Sequence, residues 1–358
     1  EALVYRISSC RGGNSTQIGN SVVNTAQLLS IQNLRVEFLL DEGILNAVND
    51  VSLSIDKEQT LGIIGESGCG KSVTAQSVLR IIPKPGQIKS GSILFHSNDN
   101  QVTDLASLSL NDKKLREVRG KEVSMIFQEP MTSLSPVHTI GNQIQESILL
   151  HTDLDKKASK DLAIEMLTKV GIPMAEKRFD SYPHHLSGGM RQRVMIAMAL
   201  SCSPRLLIAD EPTTALDVTV QAQILQLLSE FKSSQHMSML YISHDLGVVA
   251  DIADNIAVMY LGRVIEITSK EKLFSEPKHP YTCLLIESIP KIGLSKDQRL
   301  STIEGNVPIP LNLKNECGFF SRCPKKIDGL CNRGIPELNK ISEDHKVSCF
   351  LYDQKSSS

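Results

Sequence analysis

Hydrophobic residues in the first hundred positions follow the patterns of β-strands. Two segments, 29–38 and 51–55, alternate apolar and polar residues, which predicts strands with one buried face each. Residues 59–64 form a continuous apolar run, the pattern of a strand buried on both faces. Residues 71–82 have helical spacing up to a proline, and 91–96 is again a predicted strand.

Strands and helices also alternate after residue 202. The pattern predicts a buried strand at 205–210, an amphipathic helix at 218–232, a second strand at 239–243 and a hairpin around Gly262 at 256–267. Residues 130–202 are mostly helical and interrupt the alternation, like an inserted subdomain. Strands that alternate with helices are typical of an α/β fold.

The composition excludes several function classes. The 358 residues include 38 Lys and Arg against 40 Asp and Glu, so no basic excess points to nucleic acid. Trp is absent and aromatic residues make up 4%, which disfavours stacking on single-stranded nucleic acid. No apolar run approaches the roughly 18–20 residues of a membrane span, and the early arginines precede no secretory-signal core. We expect a cytosolic or peripheral protein whose eight cysteines are not in disulfides.

The first residues lack any periodicity. Residues 1–20 are rich in Ser, Gly and Asn, and the first of ten methionines is Met125. We therefore expect 1–27 to be a flexible or non-native segment, with the natural start at a non-ATG codon for Val22 or Val23.

A glycine-rich segment follows the buried strand at 59–64 and opens the first helix. It matches G-x-x-x-x-G-K-[ST] and reads Gly65-Glu66-Ser67-Gly68-Cys69-Gly70-Lys71-Ser72. Its glycines let backbone N–H groups turn toward an anion, and the helix start adds partial positive charge. We expect this segment and Val73 to bind a nucleotide, with Lys71 on the β- and γ-phosphates and Ser72 on Mg²⁺. Cys69 is expected to be a small filler rather than a redox switch.

The buried strand at 205–210 ends in two carboxylates. Asp210 lies at its carboxyl end, where ligands of open α/β sheets bind, and is predicted to hold Mg²⁺ directly or through water. The adjacent Glu211 is placed to polarise the attacking water as general base. With the glycine-rich loop, this pair predicts a site for nucleotide hydrolysis.

A further motif distinguishes among P-loop proteins. Ser187, Gly188 and Gly189 open a predicted helix, whose amides form a second anion-binding N-terminus. With Leu186 before them, they closely resemble the LSGGQ signature of ABC-type ATPases. In that family the signature faces the γ-phosphate held by a partner domain, so the resemblance implies two ATP molecules sandwiched in a head-to-tail dimer.

The other elements of that family occur in order. Gln128 matches the Q-loop, which contributes to Mg²⁺ binding and catalysis, Asp217 the D-loop and His244 the switch histidine. By the same resemblance Phe38 stacks on adenine, although the spacing to the next strand is longer than is common. Core packing of Phe38 therefore stays open as an alternative.

The resemblance also implies an architecture. It is that of a P-loop NTPase with a RecA-like core, an antiparallel β subdomain and a helical subdomain, over 28–268, with the helical part at about 130–202. The amino-acid composition changes after Ser269, where prolines and cysteines become frequent. We therefore expect 269–358 to be a separate C-terminal extension.

Three further segments narrow the resemblance to the dipeptide/oligopeptide permease branch. They are 127–136, 277–282 and 318–324. The resemblance implies pairing with a paralogous ATPase subunit, two membrane permease subunits and an extracytoplasmic binding protein, at the cytoplasmic face of the membrane. Relatives import nickel chelates or peptide-like antibiotics, and the motifs do not separate these solutes.

Four cysteines cluster in the extension: Cys317, Cys323, Cys331 and Cys349. Four thiolates suit either Zn²⁺ or an iron–sulfur cluster, but the short C-x₂₋₄-C pairs of structural zinc sites are absent. Permease ATPases with this tail pattern are associated with a [4Fe–4S] cluster, which is our expectation. Zinc and four unligated thiols stay open.

Two other functions are alternatives. One is an ABC ATPase of translation or DNA repair, which generally carries two ATPase units or a long coiled-coil insertion. The sequence of this chain shows one ATPase unit, no coiled-coil heptad repeats and no excess of positive charge for binding nucleic acid. The other is a redox sensor acting through the cysteines, with transport as the regulated output.

Overall fold

The computed structural model describes residues 17–18, 21–22, 27–97, 101–129, 133–213, 217–289 and 303–353. Within these ranges, no helix is long and apolar enough to cross a membrane. Of the segment 1–27, only two short paired strands and Gln27 are described, β1 (Gln17–Ile18) and β2 (Ser21–Val22). The predicted nature of this segment and its start codon stays a prediction.

An antiparallel sheet forms one layer. Its four strands, in the spatial order β4-β3-β6-β7, are β3 (Gln27–Leu40), β4 (Gly43–Asp56), β6 (Gly86–His96) and β7 (Val102–Asp104). Ile31, Val36 and Val51 are buried, as the alternation predicts. The strand predicted at 91–96 begins five residues earlier, because its pairing with β3 continues on both sides of Gly91.

The larger sheet has five parallel strands: β5 (Thr60–Ile64), β8 (Val123–Ile126), β9 (Leu206–Asp210), β10 (Ser238–Ile242) and β11 (Asn255–Tyr260). With β12 (Arg263–Ser269), β13 (Asn339–Ser342) and β14 (His345–Val347), the spatial order is β13-β14-β12-β11-β5-β10-β9-β8. Every residue of β5, β9 and β10 is buried, which the pattern predicts for the first two. Because β10 lies between β5 and β9, the carboxyl ends that carry the predicted motifs meet at one edge.

Helices pack on this sheet, and several of them form the segment of the chain between β8 and β9. They are α1 (Lys71–Val78), α2 (Lys113–Val118), α3 (Ile140–His151), α4 (Lys156–Lys169), α5 (Ala175–Arg178), α6 (Gly188–Leu200), α7 (Val218–Gln235), α8 (Leu246–Ile252), α9 (Lys270–Ser275) and α10 (Pro280–Glu287). The first helix was predicted to reach residue 82 but ends at Val78. Arg80 has a φ of +54°, outside the helical region.

The C-terminal extension continues the core sheet. Beyond β12 (Arg263–Ser269) lie β14 (His345–Val347) and β13 (Asn339–Ser342), each antiparallel to its neighbour. Glu266 of β12 is fully buried and accepts hydrogen bonds from His345 Nε2 (2.7 Å) and from the N–H groups of Lys278 and His279 (2.8 Å each). One buried carboxylate of the core sheet thus binds two segments of the extension, a contact that the composition of the extension did not indicate.

Candidate functional site

The glycine-rich loop joins β5 to α1 as predicted. A Cβ on Gly65 (φ +153°) would lie 2.2 Å from the carbonyl oxygen of Met259. A Cβ on Gly70 (φ +99°) would lie 2.2 Å from that of Ala47. Only glycine fits these two positions, so the loop can curve closely and turn its N–H groups toward an anion. Ser67 and Gly68 are exposed at its tip.

The Lys71 side chain lies within the loop. The residue is only 5% exposed, and its Nζ donates to the carbonyl oxygens of Gly65 (2.7 Å) and Glu66 (3.1 Å). A buried ammonium held by carbonyl oxygens can exchange them for phosphate oxygens. Cys69 is buried beside it, and burial raises the pKa of its thiol, which agrees with the role of a neutral filler.

Ser72 and Asp210 meet across the sheet edge. The Ser72 hydroxyl donates to Asp210 Oδ1 at 2.9 Å. Asp210 is 2% exposed, and burial raises the pKa of its carboxyl to about 6 against the opposing effect of the Ser72 hydrogen bond. A buried carboxylate beside a hydroxyl provides the hard oxygen ligands that Mg²⁺ prefers.

Glu211, Gln128 and His244 form a cluster next to this pair. Gln128 Nε2 donates to Glu211 Oε2 at 3.0 Å, and His244 Nδ1 lies 3.3 Å from the same oxygen. The three residues come from the ends of β8, β9 and β10, so the parallel sheet brings them together. Glu211 has a φ of +47°, a conformation that is uncommon for a non-glycine residue and concentrates at functional sites.

The predicted signature begins α6. Ser187 is the N-cap of this helix, and its hydroxyl accepts from the N–H of Met190 at 3.4 Å. Ser187 and Gly188 are exposed, and Gly189 is half-buried, so the helix start is accessible to a second subunit. Gln192, buried on the same helix, donates to the carbonyl of Pro212 and so links the signature helix to the Glu211 turn.

Three other predicted residues have local partners. Asp217 caps α7 by accepting from the N–H of Val220 at 3.0 Å, and the two residues before it lie outside the described ranges. Phe38 is half-buried and packs on the core cluster, with its ring over Gly86. Val73 is half-buried in the first turn of α1. Their nucleotide contacts stay predictions.

Comparisons with known proteins agree with this geometry. The profile of the ABC transporter family matches residues 48–214, and that of the oligopeptide/dipeptide transporter C-terminal region matches 265–331. The dipeptide transport ATP-binding protein DppD of Bacillus subtilis (strain 168) is 45% identical over 330 residues, which cover 92% of this chain and 96% of the relative. The chain belongs to the family of ABC transporter ATP-binding proteins. The oligopeptide transport ATP-binding protein AppD of the same organism is 47% identical over 92% of this chain and 98% of its own length.

Solved structures of ABC cassettes share the fold. The dimeric structure of MJ0796, a bacterial ABC transporter cassette, matches with a TM-score of 0.60 at 25% identity, covering 68% of this chain and 99% of that one. The cbiO1 protein from Clostridium perfringens, part of the transporter complex cbiONQ, matches with a TM-score of 0.56 at 28% identity, over 70% of this chain and 92% of that one. The chain therefore has the P-loop ATPase fold that its motifs predict.

The four cysteines of this ABC protein's extension lie near one another. The thiols of Cys317, Cys323, Cys331 and Cys349 interact electrostatically with one another. Burial raises the pKa of Cys317 and of Cys349 to about 11. In the described part of the chain, no group of three or more His, Cys, Asp or Glu side chains is arranged to hold a single metal ion.

Two residues that contact the nucleotide loop were missed by the sequence reasoning. Tyr281 Oη accepts from the N–H of Glu66 at 3.0 Å, and Arg322 forms a bidentate ion pair with the Glu66 carboxylate. Tyr281 lies in the segment 277–282 and Arg322 in 318–324. The family resemblance of these segments was the only feature of the sequence that pointed to them. No local pattern predicts that these segments reach the loop.

Proposed function

We propose that this chain is the ATP-hydrolysing subunit of an ABC importer that powers uptake of di- or oligopeptides across the cytoplasmic membrane. The observation that carries the proposal is the position of Glu211 between Gln128 and His244, next to Ser72 and Asp210. The peptide substrate is supported by the match to the oligopeptide/dipeptide C-terminal region and by the names of relatives such as DppD and AppD.

Each residue of the site would have a separate role in phosphoryl transfer. Lys71 and the loop amides bind the β- and γ-phosphates, and Glu211 accepts a proton from the attacking water as general base. His244 donates a hydrogen bond to the γ-phosphate, and Gln128 orients the water through Glu211. Ser72, Asp210 and Gln128 supply the oxygen ligands for Mg²⁺, which neutralises phosphate charge when bound.

The exposed signature supports a dimeric assembly. We propose that Ser187, Gly188 and Gly189 close over the ATP of a paralogous subunit, with Asp217 and Phe38 also contacting nucleotide. Two membrane permeases and an extracytoplasmic binding protein would complete the complex, with this chain peripheral at the cytoplasmic face. Residues 28–268 would be the nucleotide-binding domain and 269–358 the extension.

Reconstitution in lipid vesicles tests this function. We expect the isolated chain to hydrolyse ATP slowly, and the complex with its paralogue and permeases to turn over about tenfold faster when the binding protein and peptide are present. Peptide accumulation inside the vesicles is the direct measurement, with nickel chelates as the competing solute. Hydrolysis stimulated by ribosomes or DNA, with no response to the permeases, would contradict the proposal.

For the extension, we propose that Cys317, Cys323, Cys331 and Cys349 hold a [4Fe–4S] cluster. The donor set fits, because four thiolates are the standard ligands of such a cluster. The four thiols interact electrostatically with one another, so the same four residues would together hold the cluster. When bound, the cluster would cross-link the extension and provide a one-electron redox centre.

Metal analysis of protein purified without oxygen tests the cluster. We expect about four iron and four acid-labile sulfide per chain, because four thiolates bind one cubane. The content should fall to background in Cys349→Ser, whereas Cys202→Ser, which changes a cysteine outside the extension, should retain it. Stoichiometric zinc, or iron that persists in Cys349→Ser, would refute the cluster.

A further inference from the structure

The C-terminal extension contacts the nucleotide loop at Glu66. Arg322 Nη1 donates to Glu66 Oε2 at 2.8 Å and Nη2 donates to Oε1 at 3.1 Å, a bidentate pair across 256 positions of sequence. Tyr281 Oη, on α10, accepts from the backbone N–H of Glu66 at 3.0 Å. The side chain and the backbone of one loop residue are thus both bound by the extension.

Glu66 also supports the lysine that binds phosphate. Its carbonyl oxygen accepts from Lys71 Nζ at 3.1 Å and from the N–H of Cys69 at 3.3 Å. The peptide groups of Glu66 therefore set both the turn of the loop and the resting position of the ammonium. Any contact that fixes Glu66 also fixes the groups that receive the phosphates.

The Arg322 guanidinium is buried and hydrogen-bonded through all three of its nitrogens. Its side chain is 5% exposed, and besides Glu66 it donates to Tyr260 Oη at 3.2 Å and, from Nε, to the carbonyl of Glu304 at 2.9 Å. A planar guanidinium satisfied on all three nitrogens holds a carboxylate in one orientation, which a lysine cannot do. It also neutralises a carboxylate that otherwise stands beside a triphosphate site.

We propose that Arg322 is a positioning residue for the phosphate-binding loop, and that ATP affinity therefore depends on the C-terminal extension. Arg322 holds Glu66 so that the loop amides and Lys71 are arranged before ATP arrives, and it cancels the repulsion between the Glu66 carboxylate and the phosphates. Tyr281 assists through the Glu66 N–H. This dependence of ATP binding on Arg322 holds for any transported solute and for any ligand of the four cysteines.

Titration of the full-length chain with a fluorescent ATP analogue tests this role. We expect Arg322→Gln to raise the Kd for ATP about tenfold, because the variant leaves the Glu66 carboxylate unpaired beside the phosphates. Arg322→Lys, which keeps the charge but not the bidentate geometry, should raise the Kd by about threefold. The double variant Glu66→Gln/Arg322→Gln should recover most of the loss, because it removes the unpaired charge.

Lys272→Gln is the matched control. It removes an ion pair between α9 and Asp344, within the extension but away from the loop, and should leave the Kd unchanged. Melting temperatures of the variants show whether each one folds, and Arg322→Lys keeps the test open should Arg322→Gln unfold. The proposal is overturned when Arg322→Gln binds ATP as tightly as Lys272→Gln, or when adding Glu66→Gln gives no recovery.

Discussion

Replacing Glu211 with Gln is expected to lower the rate of ATP hydrolysis in the assembled complex by about 10²-fold or more. The amide cannot accept the proton of the attacking water, so the general base is lost. The affinity for ATP should stay within about twofold, because the loop and Lys71 bind the phosphates and the amide has nearly the size of the carboxylate. Single-turnover hydrolysis and analogue titration measure the two effects separately.

Glu230→Gln is the control for this prediction. Glu230 lies on α7, is exposed, and accepts a hydrogen bond from the Gln226 side chain at 2.9 Å. The same chemical change there should leave both hydrolysis and ATP binding unaltered. Unchanged turnover in Glu211→Gln would exclude Glu211 as the base, and a loss of ATP binding without a loss of turnover would place it in ground-state binding.

The second large effect is expected in stability, at Glu266. Its buried carboxylate accepts from His345 and from two backbone N–H groups, so Glu266→Ala would leave three buried donors without an acceptor. Breaking a buried pair of this kind costs about 3–5 kcal/mol. We expect the free energy of unfolding to fall by that amount, measured by urea denaturation followed by circular dichroism.

A nearby exposed pair provides the comparison. Glu276 is paired with Lys278 at 3.2 Å, but its side chain is 69% exposed. Glu276→Ala should change the free energy of unfolding by about 0.5 kcal/mol or less, because surface pairs contribute little. Equal destabilisation by the two variants would show that Glu266 does not join the extension to the core.

His279 is a second buried histidine, besides His345, where the extension meets the core sheet. It is 2% exposed, and burial lowers its pKa to about 3, so the ring is neutral at physiological pH. Its Nδ1 accepts from the N–H of Tyr281 at 3.0 Å and so caps α10. The helix that carries Tyr281 to the nucleotide loop is thereby fixed at its first turn.

The strands that build the site were predictable because each is short and mostly apolar. The segments 59–64 and 205–210 are predicted as buried strands and 239–243 as a strand, and β5, β9 and β10 are fully buried in the sheet. Parallel packing then brings their carboxyl ends together. The meeting of Glu211 with His244 was expected only through the family resemblance, since the two residues are far apart in sequence.

Element ends were less predictable where a distant contact decides them. The helix after the nucleotide loop continues by pattern to residue 82, but Arg80 leaves the helical region and donates to carbonyls of Leu105 and Leu108. The last strands, β13 and β14, have four and three residues and one aliphatic side chain each, so they have little apolar signal of their own. Their place in the core sheet depends on pairing with β12.

Local sequence is enough to predict the phosphate-binding loop and the carboxylates at the end of β9. The loop needs glycines at fixed spacing before Lys71 and Ser72, because its backbone geometry allows few other residue types there. The contact between the extension and this loop, in contrast, is visible only in the folded protein. The Arg322–Glu66 pair joins residues 256 positions apart, and no local propensity or periodicity encodes a contact between surfaces that meet only after the chain has folded.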